Sequence, residues 1–213
     1  MTEFRKDNFH KFQELVSGID TVIILGKGPT YSNYNSNSNP PNTFIIGINE
    51  VVTDCYCDMI VANDKEAFER IPPESLGRVP FISLAAVLNT RKGNKTLNIR
   101  SWDLVLNEYK HSYKNKHVIP YQLGRGNLQI SQYIKLPSAI SSSNNAFDFV
   151  NLFMPHVKHV NFYGVGIPDN NRYAVAFKNL RNCQERSYNN EKIEKLRNHI
   201  ETTCRKNLTI EFH

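Results

Sequence analysis

The 213-residue sequence is poor in the residues that usually give a function away. It has four cysteines, Cys55, Cys57, Cys183 and Cys204, with no C-x-x-C pair and no Cys/His zinc spacing. That leaves no zinc site to read, and buried, reduced thiols in a reducing compartment are expected. None of the seven histidines (His10, His111, His117, His156, His159, His199, His213) has ligand spacing with another histidine or a cysteine, so no metal is expected. There is no G-x-G-x-x-G and no G-x-x-x-x-G-K-S/T, which argues against a conventional nicotinamide or ATP site. No D-x-D triplet follows the third apolar run, so the carboxylate site for a metal-bound nucleotide diphosphate is missing. No apolar run approaches the roughly 20 residues that cross a bilayer. The first twenty residues are too polar for a signal peptide. A soluble, cytoplasmic protein is expected.

What the chain does have is ordinary core material, 40% hydrophobic residues against 22% charged, and a formal net charge of +6. A basic surface suits a phosphorylated substrate, an anionic membrane face or nucleic acid. The cations are scattered and lack interleaved aromatics. No specific nucleic-acid partner is therefore expected, while peripheral membrane contact through the basic surface stays open.

Apolar periodicity predicts an amphipathic helix over 2–17, then short β-branched runs at 21–25, 43–48 and 58–62 that read as strands buried on both faces. Helical patterns follow at about 64–71 and 101–112, and strands near 79–84, 117–121 and 130–135. A helix over 143–155, a strand over 157–163, a charged helix over 189–204 and a strand over 208–212 complete the pattern. Strands alternating with helices predict an α/β fold: one Rossmann-like domain over 1–213, with a mostly parallel twisted sheet flanked by helices. Residues 31–42 form a polar loop with too little apolar content to pack, expected to be flexible.

In such sheets ligands bind beyond the carboxyl ends of the strands. The candidate site is therefore the set of residues just after each apolar run. Gly26, Lys27, Gly28, Pro29 and Thr30 follow the first run. Gly26 and Gly28 permit positive φ, and exposed N–H groups there can hold a phosphate. Lys27 adds a cation or is simply solvated. Asn49 and Asn63 end the next two runs, as turn residues or ligand contacts. Asp64 caps the following helix or binds a sugar hydroxyl. Ser141, Ser142 and Ser143 precede the helix near 146, and one of them is its N-cap. Gly164 opens the segment after the late strand. Glycines, amides and hydroxyls grip polar ligands by hydrogen bonds.

Taken in order, these segments resemble the bacterial lipooligosaccharide sialyltransferases, glycosyltransferase family 42, and related Rossmann-like proteins that include pterin pyrophosphokinase-like members. Val22–Thr30 (VIILGKGPT) is similar to the family's first strand and G-x-G-P-S turn. Asn49 and the segment Cys57–Asn63 match the second and third strand ends. Ile140–Ser143, then Lys158–Val165 (KHVNFYGV), resemble the later serine, helix, strand and glycine sequence. Arg172, Tyr173 and Ala174 are similar to a segment whose tyrosine contacts the nucleotide phosphate. The resemblance implies a metal-independent transferase without a cofactor, using a CMP-activated sugar as donor and a glycan or other small molecule as acceptor. It implies that Tyr173, helped by Arg172 or Lys178, supports the departing phosphate. Two departures stand out. The family's general-base histidine before the last helix is absent, with Glu185 as a substitute, and Gly166 replaces an aspartate. Phosphoryl or pyrophosphoryl transfer, and non-catalytic binding of a nucleotide-like molecule, are the alternative readings.

Overall fold

The computed structural model describes residues 2–63, 67, 70–86, 88–89, 98–99, 117–123, 134–136, 141–166, 173–177, 179 and 190–213. Helix α1 (Thr2–Val16) leads into β1 (Thr21–Leu25), β2 (Thr43–Ile48) and β3 (Met59–Ala62). A short helix α2 (Pro73–Gly77) precedes β4 (Phe81–Ala86). The two-residue strands β5 (Leu88–Asn89) and β6 (Asn98–Ile99) pair antiparallel. Then come β7 (His117–Leu123), β8 (Ile134–Leu136), helix α3 (Ser142–Phe153), β9 (His159–Tyr163), helix α4 (Asn190–Thr203) and β10 (Thr209–Phe212).

Among the described residues, eight strands form one sheet in the order β10-β9-β1-β2-β3-β4-β7-β8. Every neighbouring pair in it is parallel. The fold is α/β and Rossmann-like, as expected. The chain builds outward from β1 to β8 on one side, then returns to lay β9 and β10 on the other. The order therefore reverses between β1 and β9, where doubly wound sheets place their ligands.

The reason for the parallel sheet is visible in β1, all five residues of which are buried. Val22 and Ile24 pack on one face against Phe12 and Val16 of α1, Phe147 and Val150 of α3, and Leu196 and Ile200 of α4. Ile23 and Leu25 pack on the other face with Ile45, Val51, Leu76 and Phe177. A strand covered on both faces needs a continuous apolar run rather than alternation. Arg205, between α4 and β10, ties that turn to the end of α3: its guanidinium donates to the carbonyls of Val150, Asn151, Met154 and Val157, at and after the helix end.

The polar segment 31–42 forms two 3-10 turns, Pro29–Asn33 and Ser36–Ser38, seated by Tyr31, which is buried against Phe177. Among the described residues, no helix is long and apolar enough to cross a membrane. The helical patterns at 101–112 and most of 64–71 lie outside the described residues.

Candidate functional site

The carboxyl edge begins at the β1–β9 crossover. Gly26 N–H donates to Tyr163 O and Gly28 N–H to Gly164 O, both at 2.8 Å. The two chain segments lie so close that a Cβ on Gly26 would stand 2.6 Å from Gly164 O, and one on Gly164 would stand 2.3 Å from Gly26 O. This corrects the expectation for the glycine turn. Positive φ belongs to Gly164 (66°) and Gly166 (81°), whereas Gly28 is extended at φ −68°, ψ 171°. Gly26 is a glycine because another backbone occupies the space of its side chain. Its N–H and that of Gly28 are already spent on the β9 segment, so they form no open phosphate cradle. Pro29 starts the first 3-10 turn, and Thr30 Oγ1 accepts the Gly164 N–H at 2.9 Å, tying the same two segments together.

Lys27 is neither solvated nor at the surface. Its side chain is 8% exposed, and Nζ lies 2.6 Å from Glu50 Oε2, a carboxylate with no exposed surface. Arg70 Nε takes the other oxygen, Oε1, at 2.8 Å. Glu50 belongs to the 3-10 turn Asn49–Thr53 that directly follows β2. A buried carboxylate held by two cations thus links the ends of β1 and β2. In the same region the Tyr31 hydroxyl donates to Asp54 Oδ2 at 2.6 Å. Burial, then Asp54, push that phenol far above its ordinary range, so it stays a donor.

A second cluster spans β2, β3, β7 and the start of α3. Asn49 sits at φ +56°, a left-handed conformation that asparagine tolerates better than most residues. Its Oδ1 accepts from the Ser142 hydroxyl at 3.3 Å, and that hydroxyl accepts the Asn63 N–H at 3.1 Å. Asn63 Oδ1 accepts from Asn145 Nδ2 at 2.6 Å and from the Tyr121 hydroxyl, which also reaches Ala62 O at 3.0 Å. Ser141 is the N-cap of α3, accepting the Asn144 N–H, as expected for this serine cluster. Ser143 is half-buried on the first turn. Asn144 and Asn145 have no exposed surface, yet Asn144 Nδ2 and Asn145 Oδ1 lack a hydrogen-bond partner among the described residues.

The sequence-predicted residues thus fall into two neighbouring groups. Gly26, Lys27, Gly28, Thr30 and Gly164 meet at the β1–β9 crossover, and Asn49, Asn63 and Ser142 join one network. Tyr173 is half-buried, its ring centroid 5.6 Å from Lys27 Nζ, and the Ala174 N–H donates to Lys27 O at 2.9 Å. Asp64, Arg172, Lys178 and Glu185 lie outside the described residues.

Glu50 and Tyr121 are the residues that strand-end reasoning passed over. Glu50 had one signal, a charge inserted between the apolar run ending at Ile48 and Val51–Val52. Tyr121 closes an apolar run like the asparagines do, but as an aromatic it reads as core.

No protein-family model and no curated protein matches the chain. Among solved structures it is similar to a sialyltransferase from Campylobacter jejuni, determined in complex with a substrate analogue, cytidine-5'-monophosphate. The likeness covers 92% of this chain and 80% of that one, with a TM-score of 0.51 and 15% sequence identity. At that identity it is a likeness of fold.

Proposed function

We propose that this chain is a metal-independent glycosyltransferase that binds a CMP-type activated sugar at the carboxyl edge of its sheet and passes the sugar to a glycan or other hydroxyl acceptor. The observation that carries the reading is the strand-end network of Asn49, Asn63, Tyr121, Ser142 and Asn145. At the N-terminus of α3 beside it, two buried amide atoms, Asn145 Oδ1 and Asn144 Nδ2, have no hydrogen-bond partner among the described residues. Buried polar atoms are normally satisfied, so atoms left open at such a place are prepared for a polar ligand or water. The fold likeness to a protein solved with cytidine-5'-monophosphate supports the choice of nucleotide.

In this reading Asn49, Asn63 and Ser141–Ser143 surround the nucleotide and sugar, with Gly164, Asp64 and Arg172 at its margin. The acceptor oxygen attacks the anomeric carbon and the bond to the CMP phosphate oxygen breaks, its electron pair leaving with CMP. Tyr173 donates to that oxygen as charge gathers on it. Glu185 receives the acceptor proton as the general base. A single domain over 1–213 carries the whole site.

The test is nucleotide release from CMP-, UDP- and GDP-sugars with and without glycan acceptors, run beside melting curves with each donor. CMP-sugar should raise the melting temperature and release CMP. Stabilisation without release would convert the proposal into a binding protein. Release of ADP from ATP with Mg²⁺ would convert it into a phosphoryl transferase. Absence of both stabilisation and turnover with every donor removes it.

A further inference from the structure

The two glycines of the turn have spent their amides on the β9 segment, and the turn's one charged side chain is Lys27. We infer that the Lys27 ammonium is the group that meets the anionic end of a nucleotide, with Glu50 and Arg70 holding it in place. The inference rests on the nucleotide reading above and adds to it the residue that grips phosphate.

Four observations converge. An ammonium carries three N–H donors. Among the described residues, Lys27 Nζ has one hydrogen-bond partner, Glu50 Oε2 at 2.6 Å. Its other donors meet no acceptor oxygen among the described residues, the ammonium lying over the Tyr173 ring in a weaker cation–π contact, in a side chain that is 8% exposed. Burying a charge with unmet hydrogen bonds is costly unless a partner arrives. Second, two cations, Lys27 and Arg70, meet at the one carboxylate of Glu50, a setting that favours a further oxyanion. Third, Lys27 lies two residues after β1 and its ammonium reaches to the end of β2, along the carboxyl edge of the sheet where such folds hold ligands. Fourth, the ring of Tyr173, the residue proposed to face the departing phosphate, lies 5.6 Å from Nζ. A phosphate there meets both side chains.

Glu50 has a separate task in this arrangement. With both oxygens taken, by Lys27 and by Arg70, it holds the lysine stem against the sheet edge instead of leaving it to sample solvent. The backbone ties this further, because Lys27 O accepts the Ala174 N–H, next to Tyr173. Donor and aromatic neighbour are fixed relative to each other before any ligand arrives, which lowers the ordering cost of binding.

The experiment compares CMP with cytidine by calorimetric titration, so that the probe differs only by its phosphate. Wild type should prefer CMP by roughly ten- to a hundredfold, the worth of a charge-assisted hydrogen bond to an anion. Lys27→Gln should abolish that preference while leaving cytidine affinity unchanged, and the preference in wild type should fall with added salt. Because Lys27→Gln removes one partner of a buried pair, Lys27→Gln with Glu50→Gln serves as the second variant, checked for folding by circular dichroism. It should show the same loss of preference. Equal affinity of wild type for CMP and cytidine overturns the inference and leaves the nucleotide reading standing. So does a folded Lys27 variant that keeps the preference. Failure of wild type to bind either compound overturns the nucleotide reading, and this inference with it.

Discussion

Replacing Gly26 by alanine tests the account of the β1–β9 crossover directly. The added methyl would stand 2.2 Å from Val165 Cγ2 and 2.6 Å from Gly164 O. The valine methyl can turn away. The carbonyl cannot, because it accepts the Gly28 N–H at 2.8 Å and belongs to a residue already at positive φ. Relief therefore requires the two strand ends to separate. Overpacking of this kind costs about 1–3 kcal/mol. The strained or broken Gly28–Gly164 hydrogen bond adds about 1 kcal/mol. The sum, about 2–4 kcal/mol, is a large share of an ordinary domain's stability. For a chain of this length it lowers the melting temperature by roughly 4–16 °C. The assay is a melting curve of the ligand-free protein. Gly77→Ala is the control: Gly77 lies in α2, and a Cβ there meets nothing within 4 Å. That variant should melt at or slightly above the wild-type temperature, since alanine restricts the unfolded chain. If Gly26→Ala melts within about 2 °C of wild type, a neighbouring backbone is not what demands glycine there, and the geometric argument fails.

Other expectations are briefer. Arg205→Ala removes four donations to carbonyls at and after the end of α3, and should cost about 2–4 kcal/mol in urea unfolding; Arg205→Lys should recover only part, because an ammonium lacks the planar fork. Tyr121→Phe deletes the hydroxyl shared by Ala62 O and Asn63 Oδ1, and should lower stability by about 1–2 kcal/mol while weakening CMP binding, since Asn63 loses a donor that orients it. Burial, then Lys11, hold the His117 pKa below its ordinary 6.5. The unfolded chain therefore takes up a proton there first, so this contribution is present above pH 6.5 and is lost as pH falls through the folded pKa. His117→Gln should flatten the stability profile in that acid window, read by urea midpoints across pH.

The fold was legible where one physical cause dominates. Strands β1 and β2 lie at 21–25 and 43–48, as the apolar runs predict, because burial on both faces leaves no room for polar residues. Helix α3 and its serine cap were legible for the same kind of reason, an apolar stripe preceded by a side chain able to accept an N–H. The pairing of β5 with β6 was not, since two-residue strands carry no period to detect. Nor was the seating of segment 31–42, whose one buried aromatic, Tyr31, is invisible to a composition average.

The site was half legible, for a different reason. A strand end can be read locally, so Asn49, Asn63 and the serines emerge as candidates. Their partners cannot, because Ser142 reaches Asn49 across 93 positions and Asn63 across 79. Lys27 shows what that omission costs. By itself, a lysine between two glycines is either a phosphate ligand or a solvated side chain. Only Glu50, 23 positions on, and Arg70 beyond it remove the second option, since together they make the lysine a buried cation. The glycines beside it move the opposite way. They suggest a cradle of open amides until the register of β1 against β9 shows both amides taken. The two glycines thus lose the role of an open cradle, and in the proposed reading the contact to phosphate passes from their backbone to the Lys27 side chain between them.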